Sequence, residues 1–230
     1  MTLAALALAI ALGAGAPPTV WVGSKSFTES VVLGELAAQL AASAGARVEH
    51  RAALGGTRVV WEALRRGDID VYPDYTGTLW REILGEAPGD LAALRAALAR
   101  HGIGATSSLG FEDTYAIGMR RDAAARLGVR RLSDLERFPH VRFGFTNEFL
   151  DRSDGWPALR ARYRLPQQDV RGLDHDLAYR AIEEGAIDAT DLYSTDAELR
   201  RGDLAVLEDD RHAFPEYLSL IHISEPTRPY

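Results

Sequence analysis

The chain has 230 residues and carries 26 basic against 33 acidic side chains, a formal net charge of −7. This acidic balance, without a basic block, argues against nucleic acid as a partner. Cysteine is absent, which excludes thiol catalysis, cysteine-ligated zinc and disulfide bonds. The six histidines lack metal-site spacing, and no phosphate-binding loop or nucleophile elbow occurs. We therefore predict no metal, no cofactor and no enzymatic activity.

The N-terminus has the pattern of a secretory signal. Residues 3–16 are apolar and end in small residues before Pro17 and Pro18. The run is short for a membrane span, and Pro-Pro disfavours the alternative of a buried helix. Because a basic segment before it is missing, the run could also be the tail of a longer membrane segment. We predict a signal peptide at 1–16 and a periplasmic or other extracytoplasmic location.

From residue 19 onward, predicted strands and helices alternate, which indicates an α/β fold. The first half reads as strand TVWVGS, helix ESVVLGELAAQLAASAG, strand ARVEHRAAL and helix TRVVWEALRRG. DIDVYPDY follows as a strand that Pro73 is expected to break into a loop. After a helix at 90–100, the second half gives strands TYAIGMR, VRFGFT, VRGL, AIDATDLY and LAVL, separated by helices at LSDLERF, WPALRARY and LAYRAIEEG.

One local pattern occurs in both halves. A predicted helix ends on Gly67 or Gly185, Ile-Asp follows, and Tyr75 or Tyr193 arrives eight residues after the glycine. Ligands of open α/β sheets bind beyond the carboxyl ends of strands. The repeat therefore predicts two lobes whose tyrosines line a shared site, against the alternative that each tyrosine only caps a core.

The first predicted helix has an N-terminus suited to an anion. Ser26 and Glu29 have capping-box spacing, and Lys25, the only lysine in the chain, stands beside them. A single lysine among many arginines suggests a specific geometric demand. The alternative is an ordinary solvated loop.

Several motifs together resemble one family. They are GSKSFTES, LGGTRVVWEAL, GDIDVYPDYTGT, LGFEDTYAIGMR, FLDRSDGWPAL, AIDATDLYSTDAEL and LEDDRHAFPEY, which run collinearly from about Val20 to Tyr217. The chain resembles the substrate-binding proteins of osmoprotectant ABC importers, which bind glycine betaine, choline or carnitine. This resemblance implies a two-lobed type II periplasmic-binding fold. It further implies a monomer that captures a quaternary ammonium solute, glycine betaine first, and delivers it to a permease driven by an ATPase.

The resemblance also implies the ligand contacts. The ammonium would lie in a cage of tyrosine rings between the two lobes, with Asp113 beside it, and a ligand carboxylate would meet Lys25, Thr78 and Arg152. Choline lacks that carboxylate, so betaines are expected to bind more tightly. Arg58 is either a place of ligand variation or a solvated residue at a helix start. The cage residues would be Tyr75, Tyr115, Tyr193 and Tyr217.

The resemblance stops after Tyr217. SLIHISEPTRPY resembles a translated sequencing adapter, so we predict a non-native tail at 219–230 and a first lobe that lacks its C-terminal part. The expected domains are lobe one at 17–112, lobe two at 113–213 and a return to lobe one at 214–218. Three alternatives remain open: a binder of another zwitterion, such as an amino-acid betaine or an ergothioneine-like compound, the sensor domain of a membrane receptor, and, less favoured, an enzyme on the same fold. His175 is expected at the surface, and Trp61, Trp80 and Trp156 in the core.

Overall fold

Two compact units make up the structure, a computed structural model that describes residues 19–214 and 217–224. One unit falls within 1–111 and 217–230, and the other is 112–216. The predicted signal peptide lies outside the described residues. Among the described helices, none is long and apolar enough to cross a membrane.

The first unit is built on a five-stranded sheet. The strands are β1 (Thr19–Gly23), β2 (Arg47–Arg51), β3 (Val71–Tyr75), β4 (Ile103–Ala105) and β10 (Ser219–Ser224). β1 pairs in parallel with β2 and β3, and β10 runs antiparallel between β3 and β4, which gives the order β2-β1-β3-β10-β4. The helices are α1 (Thr28–Ser43), α2 (Thr57–Arg66), α3 (Thr76–Thr78) with a π-helical turn (Leu79–Leu84), and α4 (Leu91–Ala99).

The second unit repeats this topology. The strands are β5 (Tyr115–Arg120), β6 (Phe143–Thr146), β7 (Val170–Leu173), β8 (Ala189–Tyr193) and β9 (Leu204–Val206). β6 pairs in parallel with β7 and β8, and β5 runs antiparallel between β8 and β9, in the order β7-β6-β8-β5-β9. The helices are α5 (Arg121–Leu127), α6 (Asn147–Asp151), α7 (Trp156–Tyr163), α8 (His175–Glu183) and two 3₁₀ turns (Leu132–Arg137 and Ala197–Arg201). The α/β prediction is confirmed.

The Gly-x-Ile-Asp repeat has a structural reason. Gly67 and Gly185 both adopt positive φ at the end of a helix, where glycine carries little strain. The aspartate that follows bonds reciprocally with the parallel neighbour of its own strand: Asp70 accepts from the Trp21 N–H at 2.8 Å and donates its own N–H to the Trp21 carbonyl. Asp188 makes the same two backbone bonds with Arg142, at 2.9 and 2.8 Å. The repeated motif therefore sets the register of β3 and β8 against their parallel neighbours.

Two local predictions are wrong. Pro73 does not break its strand, because neither neighbouring strand needs its N–H. β3 pairs with β1 only at Val71, and Ile221 of β10, opposite Pro73, bonds through its backbone to Thr106. The capping box at Ser26 does not form either. The helix begins after Phe27 without a side-chain cap, and the Ser26 hydroxyl instead donates to the Ala53 carbonyl at 3.1 Å.

The cores confirm the expectation for the tryptophans. Trp61 and Trp80 belong to an apolar cluster of the first unit, and Trp156 is buried in the second. Leu220, from the segment predicted as a non-native tail, also lies in the first cluster and is fully buried. The origin of 219–230 stays a prediction, and residues 225–230 lie outside the described part of the chain.

Candidate functional site

The repeated tyrosines are the last residues of equivalent strands. Tyr75 ends β3, and Tyr193 ends β8. The sequence had predicted a loop at Tyr75, after a break at Pro73, whereas Tyr193 ended the predicted strand AIDATDLY. Their position at the carboxyl ends of two parallel strands is the place where open α/β sheets bind ligands.

In the first unit, Tyr75 is anchored at its backbone and at its hydroxyl. Its N–H donates to Asp74 Oδ1 at 2.9 Å, and its hydroxyl donates to the Glu29 carboxylate. The same Asp74 oxygen accepts a bond from the Lys25 ammonium at 2.7 Å. Lys25 and Asp74 are both buried. The structure thus brings Lys25 and Tyr75 together through a shared carboxylate, while contact of Lys25 with a ligand stays a prediction.

Tyr217 packs on the turn that follows β3. A Cβ placed on Gly77 would lie 2.4 Å from Cδ1 of the Tyr217 ring, so the ring rests on the glycine. The Thr76 N–H donates to the Leu218 carbonyl at 2.9 Å, and the Leu218 N–H donates to the Thr76 hydroxyl at 3.1 Å. Thr78, two residues further on, is buried. Tyr75, Thr78 and Tyr217 are therefore neighbours along one turn.

Gly77→Ala is expected to destabilise the first unit by about 1–3 kcal/mol, because the added methyl must displace the Tyr217 ring. Urea denaturation at pH 7 measures the change. Gly104→Ala is the matched control, since its Cβ would meet only the Ile223 carbonyl oxygen, at 3.7 Å. Equal stability of the two variants would contradict this packing.

In the second unit, Tyr115 and Tyr193 form a cross-strand pair. They are opposite each other in the β5–β8 ladder, with ring centroids 5.3 Å apart and planes inclined by 30°. Phe149 packs edge-on to Tyr115 at 4.9 Å, and Phe214 lies at 6.0 Å. Burial raises the pKa of both tyrosine hydroxyls, so the rings remain neutral. These four rings are the aromatic cluster of the second unit.

Arg152 lies against this aromatic cluster. Its guanidinium carbon is 5.5 Å from the Tyr115 centroid, within the range of a cation–π contact. Its Nε and one terminal nitrogen donate to the two oxygens of Asp154 at 2.8 and 2.6 Å, and Glu148 lies at 3.7 Å. The guanidinium is 4% exposed and already has carboxylate partners. Contact of Arg152 with a ligand carboxylate stays a prediction.

Two aspartates of the second unit are buried near the ends of β5 and β8. Asp113 accepts a hydrogen bond from the Thr195 hydroxyl at 2.9 Å, a contact between the segments that hold Tyr115 and Tyr193. Asp191 accepts from the Thr146 N–H and hydroxyl, both at 2.7 Å. Burial raises the pKa of Asp191 to about 6, although the Thr146 bonds oppose the rise.

The prediction that His175 is a surface residue is wrong. Its side chain is 13% exposed and its ring stacks on Tyr193, with centroids 5.3 Å apart. Asp196 Oδ2 accepts from the Tyr193 N–H at 2.8 Å and the Tyr179 hydroxyl at 2.6 Å, and lies 3.3 Å from His175 Nε2. Burial disfavours the protonated ring, but Asp196 and nearby carboxylates outweigh burial and raise the pKa of His175.

Arg58 contacts no other predicted site residue among the contacts described. Its Nε donates to the Glu82 carboxylate at 3.0 Å, a second nitrogen donates to the Glu82 carbonyl at 3.2 Å, and the side chain is 74% exposed. A role in ligand choice stays untested.

The site has components that sequence reasoning missed. Phe149, Phe214 and His175 surround the tyrosine pair, and Asp154 holds Arg152. Phe149 and Phe214 lie inside the motifs that pointed to Arg152 and Tyr217, which was the available signal. Chemically, the aromatic cluster offers neutral ring faces and buried carboxylates, a combination that attracts an organic cation.

Three comparisons with known proteins agree. Residues 18–224 match the family described as the substrate-binding domain of ABC-type glycine betaine transport systems. The chain is similar to a crystal structure of a glycine betaine/carnitine/choline ABC transporter, with a TM-score of 0.65 and 25% identity, covering 89% of this chain and 79% of that one. This similarity confirms the type II periplasmic-binding fold.

Curated relatives carry related names. The ergothioneine transport permease/ergothioneine binding protein EgtU of Helicobacter pylori (strain G27) is 30% identical over 202 residues, which cover 85% of this chain but only 36% of that protein. The carnitine transport binding protein OpuCC of Listeria monocytogenes is 28% identical over 216 residues, covering 90% of this chain and 70% of that one. The chain thus spans about a third of the first relative and somewhat over two thirds of the second.

Proposed function

The chain belongs to the family of substrate-binding domains of ABC-type glycine betaine transport systems, and we propose that it captures a quaternary ammonium solute, glycine betaine first, in an aromatic cage. The observation that carries the proposal is the pair Tyr115 and Tyr193, stacked at the carboxyl end of β8 with Phe149 beside them.

The physical basis is the attraction between a cation and ring faces. A quaternary ammonium donates no N–H hydrogen bond, so ring faces and buried carboxylates are the groups that can compensate its lost hydration. The guanidinium of Arg152, 5.5 Å from the Tyr115 centroid, supports the view that this ring accepts a cation. Asp113, two residues before Tyr115, would add negative charge.

The first unit would add Tyr75 and Tyr217. Both are buried, at 5% and 2% exposure, and both are fixed around the turn that follows β3. In the proposed site, the four tyrosines contribute rings to one ligand, and Thr78, Arg152 and Lys25 are the groups assigned to a carboxylate. Because Lys25 and Arg152 already have aspartate partners, a ligand carboxylate would share these cations with Asp74 and Asp154.

Transport partners follow from the family. Its members belong to ABC transport systems, which implies a small-molecule ligand and a permease. We propose that this chain works as an extracytoplasmic monomer that delivers its ligand to a permease coupled to an ATPase.

Catalysis is not part of the proposal. In the first unit, Ser24 Oγ lies 3.1 Å from His50 Nε2, and His50 Nδ1 lies 3.1 Å from a Glu35 oxygen, the order of a nucleophile, a base and a carboxylate. Ser24, however, is 0% exposed, and its oxygen also accepts the Ala53 N–H at 3.2 Å. We propose that this group stabilises the packing of α1 and β2 instead.

A second ligand class has a specific observation in its favour. The relative that is 30% identical is named as an ergothioneine-binding protein, and ergothioneine also carries a trimethylammonium and a carboxylate. The proposed cage and carboxylate contacts would suit either compound.

Calorimetric titration of the purified protein with glycine betaine, carnitine, choline and ergothioneine tests the proposal. We expect saturable binding of glycine betaine, and weaker binding of choline because it lacks the carboxylate. Glycine is the matched control, since it keeps the carboxylate but has a primary ammonium, and it should not bind. If choline bound as tightly as glycine betaine, the assignment of Thr78, Arg152 and Lys25 to a ligand carboxylate would be wrong. If folded protein binds none of the four, the proposed function is wrong.

A further inference from the structure

We propose that His175 determines how tightly the cage holds a quaternary ammonium: in its protonated form it places a second cation beside the Tyr193 ring and weakens binding. The inference rests on the proposed function, because Tyr193 is assigned to the cage. His175 is not among the ligand contacts that the sequence motifs implied. It acts on the ligand through a cage residue and through its charge.

His175 packs directly on the cage residue. The centroids of the His175 and Tyr193 rings are 5.3 Å apart, their planes are inclined by 28°, and the histidine side chain is 13% exposed. A cation near an aromatic ring is attracted to the ring face. A protonated His175 would therefore compete for the ring on which the ligand ammonium depends, and the two positive charges would repel each other.

The carboxylates around His175 allow its ring to hold a proton near neutral pH. Nε2 lies 3.3 Å from Asp196 Oδ2, and Nδ1, which has no hydrogen-bond partner among the described residues, lies 3.7 Å from Asp176 Oδ1. Burial disfavours the charged ring, but the hydrogen bond and charge of Asp196, with the charges of Asp191 and Asp176, raise the pKa of His175 above its usual value of about 6.5.

The other ionisable groups against this ring are two tyrosines and Asp191. Tyr179 packs edge-on to His175 with centroids 5.4 Å apart, and burial raises the pKa of Tyr179 and of Tyr193, so both stay neutral. Burial also raises the pKa of Asp191, to about 6. Loss of that proton would favour a bound cation in the same direction as loss of the His175 proton. Variants of His175 are therefore needed to separate the two groups.

Affinity is expected to rise as His175 loses its proton. Below the pKa of His175 the ring is charged and repels the ligand ammonium. Above that pKa the ring is neutral, and the Asp196 charge is left to attract the ammonium. The ligands do not titrate here, since a quaternary ammonium has no proton and a carboxylate titrates well below pH 5. Two unit charges about 10 Å apart, partly screened by salt, change a binding constant by roughly fivefold.

Calorimetric titration with glycine betaine and with choline at pH 5.5, 7 and 8.5 tests the inference. His175→Gln keeps an amide that can donate to Asp196, and His175→Phe keeps a ring against Tyr193, while neither carries a charge. His140→Gln is the matched control, because His140 is an exposed histidine of the same unit.

We expect the affinity for both ligands to rise about fivefold from pH 5.5 to pH 8.5 in the unmodified protein and in His140→Gln. The rise should be clearly smaller in His175→Gln and in His175→Phe, and if one of these does not fold, the other decides. A full rise in the His175 variants would assign the effect to another group, such as Asp191, and overturn the inference. A rise with glycine betaine alone would place the effect at the ligand carboxylate and overturn it too.

The pKa of His175, followed by the NMR signals of its ring protons, gives a second readout. Because linkage is reciprocal, saturating choline should lower this pKa. An unchanged or raised pKa would overturn the inference. Binding that is equal at the three pH values would remove the inference but leave the proposed function intact. If the unmodified protein binds neither ligand at any pH, the proposed function fails, and the inference fails with it.

Discussion

Tyr193→Ala is expected to lower the affinity for glycine betaine about thirtyfold, because a desolvated ring face contributes up to about 2 kcal/mol to the binding of a cation. The Tyr193 ring contacts Tyr115 on β5 and His175 on α8, with both centroid distances at 5.3 Å. Its loss also removes the support of the neighbouring rings. Calorimetric titration measures the affinity, and circular dichroism confirms that the variant is folded.

The matched control at this position is Tyr193→Phe, which keeps the ring and removes only the hydroxyl. We expect it to bind within a few-fold of the unmodified protein. Tyr163→Phe is a second control, since Tyr163 is buried elsewhere in the same unit and its hydroxyl donates to Asp209 at 2.5 Å. If Tyr193→Phe lost as much affinity as Tyr193→Ala, the hydroxyl and not the ring would carry the interaction, and the cage would be wrong.

His222→Leu is expected to raise the free energy of unfolding by about 1–3 kcal/mol at pH 7. His222 is completely buried in β10 against the Tyr72 ring, and neither ring nitrogen has a hydrogen-bond partner among the described residues. A buried polar group left unsatisfied costs about that much, and leucine removes it. Urea denaturation of both proteins measures the difference.

The same histidine should make the unmodified protein sensitive to acid. Burial lowers the pKa of His222 to about 4, below its usual value of about 6.5 in an unfolded chain. The unfolded state therefore binds the proton first. Protonation of His222 therefore leaves the free energy of unfolding unchanged above about pH 6.5. As the pH falls from there to about 4, it lowers that free energy by up to about 3 kcal/mol in total.

Denaturation at pH 7 and at pH 4.5 checks this dependence. The difference in the free energy of unfolding between His222→Leu and the unmodified protein should be larger at pH 4.5 than at pH 7, because leucine does not titrate. A difference that is the same at both values, or a destabilised His222→Leu, would contradict the account. His222 lies in the segment predicted as a non-native tail.

The sequence predicted those features of the fold that depend on a local pattern of residues. Gly67 and Gly185 ended their helices as expected, because positive φ favours glycine wherever the surrounding chain goes. The repeated Ile-Asp and tyrosine spacing has a counterpart in the equivalent strands β3 and β8, since each aspartate bonds to the backbone of a parallel neighbour. The shared tyrosine site that the repeat suggested stays a prediction.

What the sequence could not predict depends on contacts distant along the chain. Lys25 and Asp74 are 49 residues apart, so the partner of the single lysine was not visible. His175 was assigned to the surface because its stacking on Tyr193 requires α8 and β8 to be placed first. Ser26 had the right spacing for a cap, but the Ala53 carbonyl accepted its hydroxyl instead.

The most direct test of the aromatic cage is the proton NMR shift of the ligand's N-methyl groups on binding. Ring faces shield nearby protons, so the methyl signal of bound glycine betaine should move upfield, and the shift should be smaller in Tyr193→Ala. Saturable binding without an upfield shift would place the ammonium away from the rings and contradict the central claim.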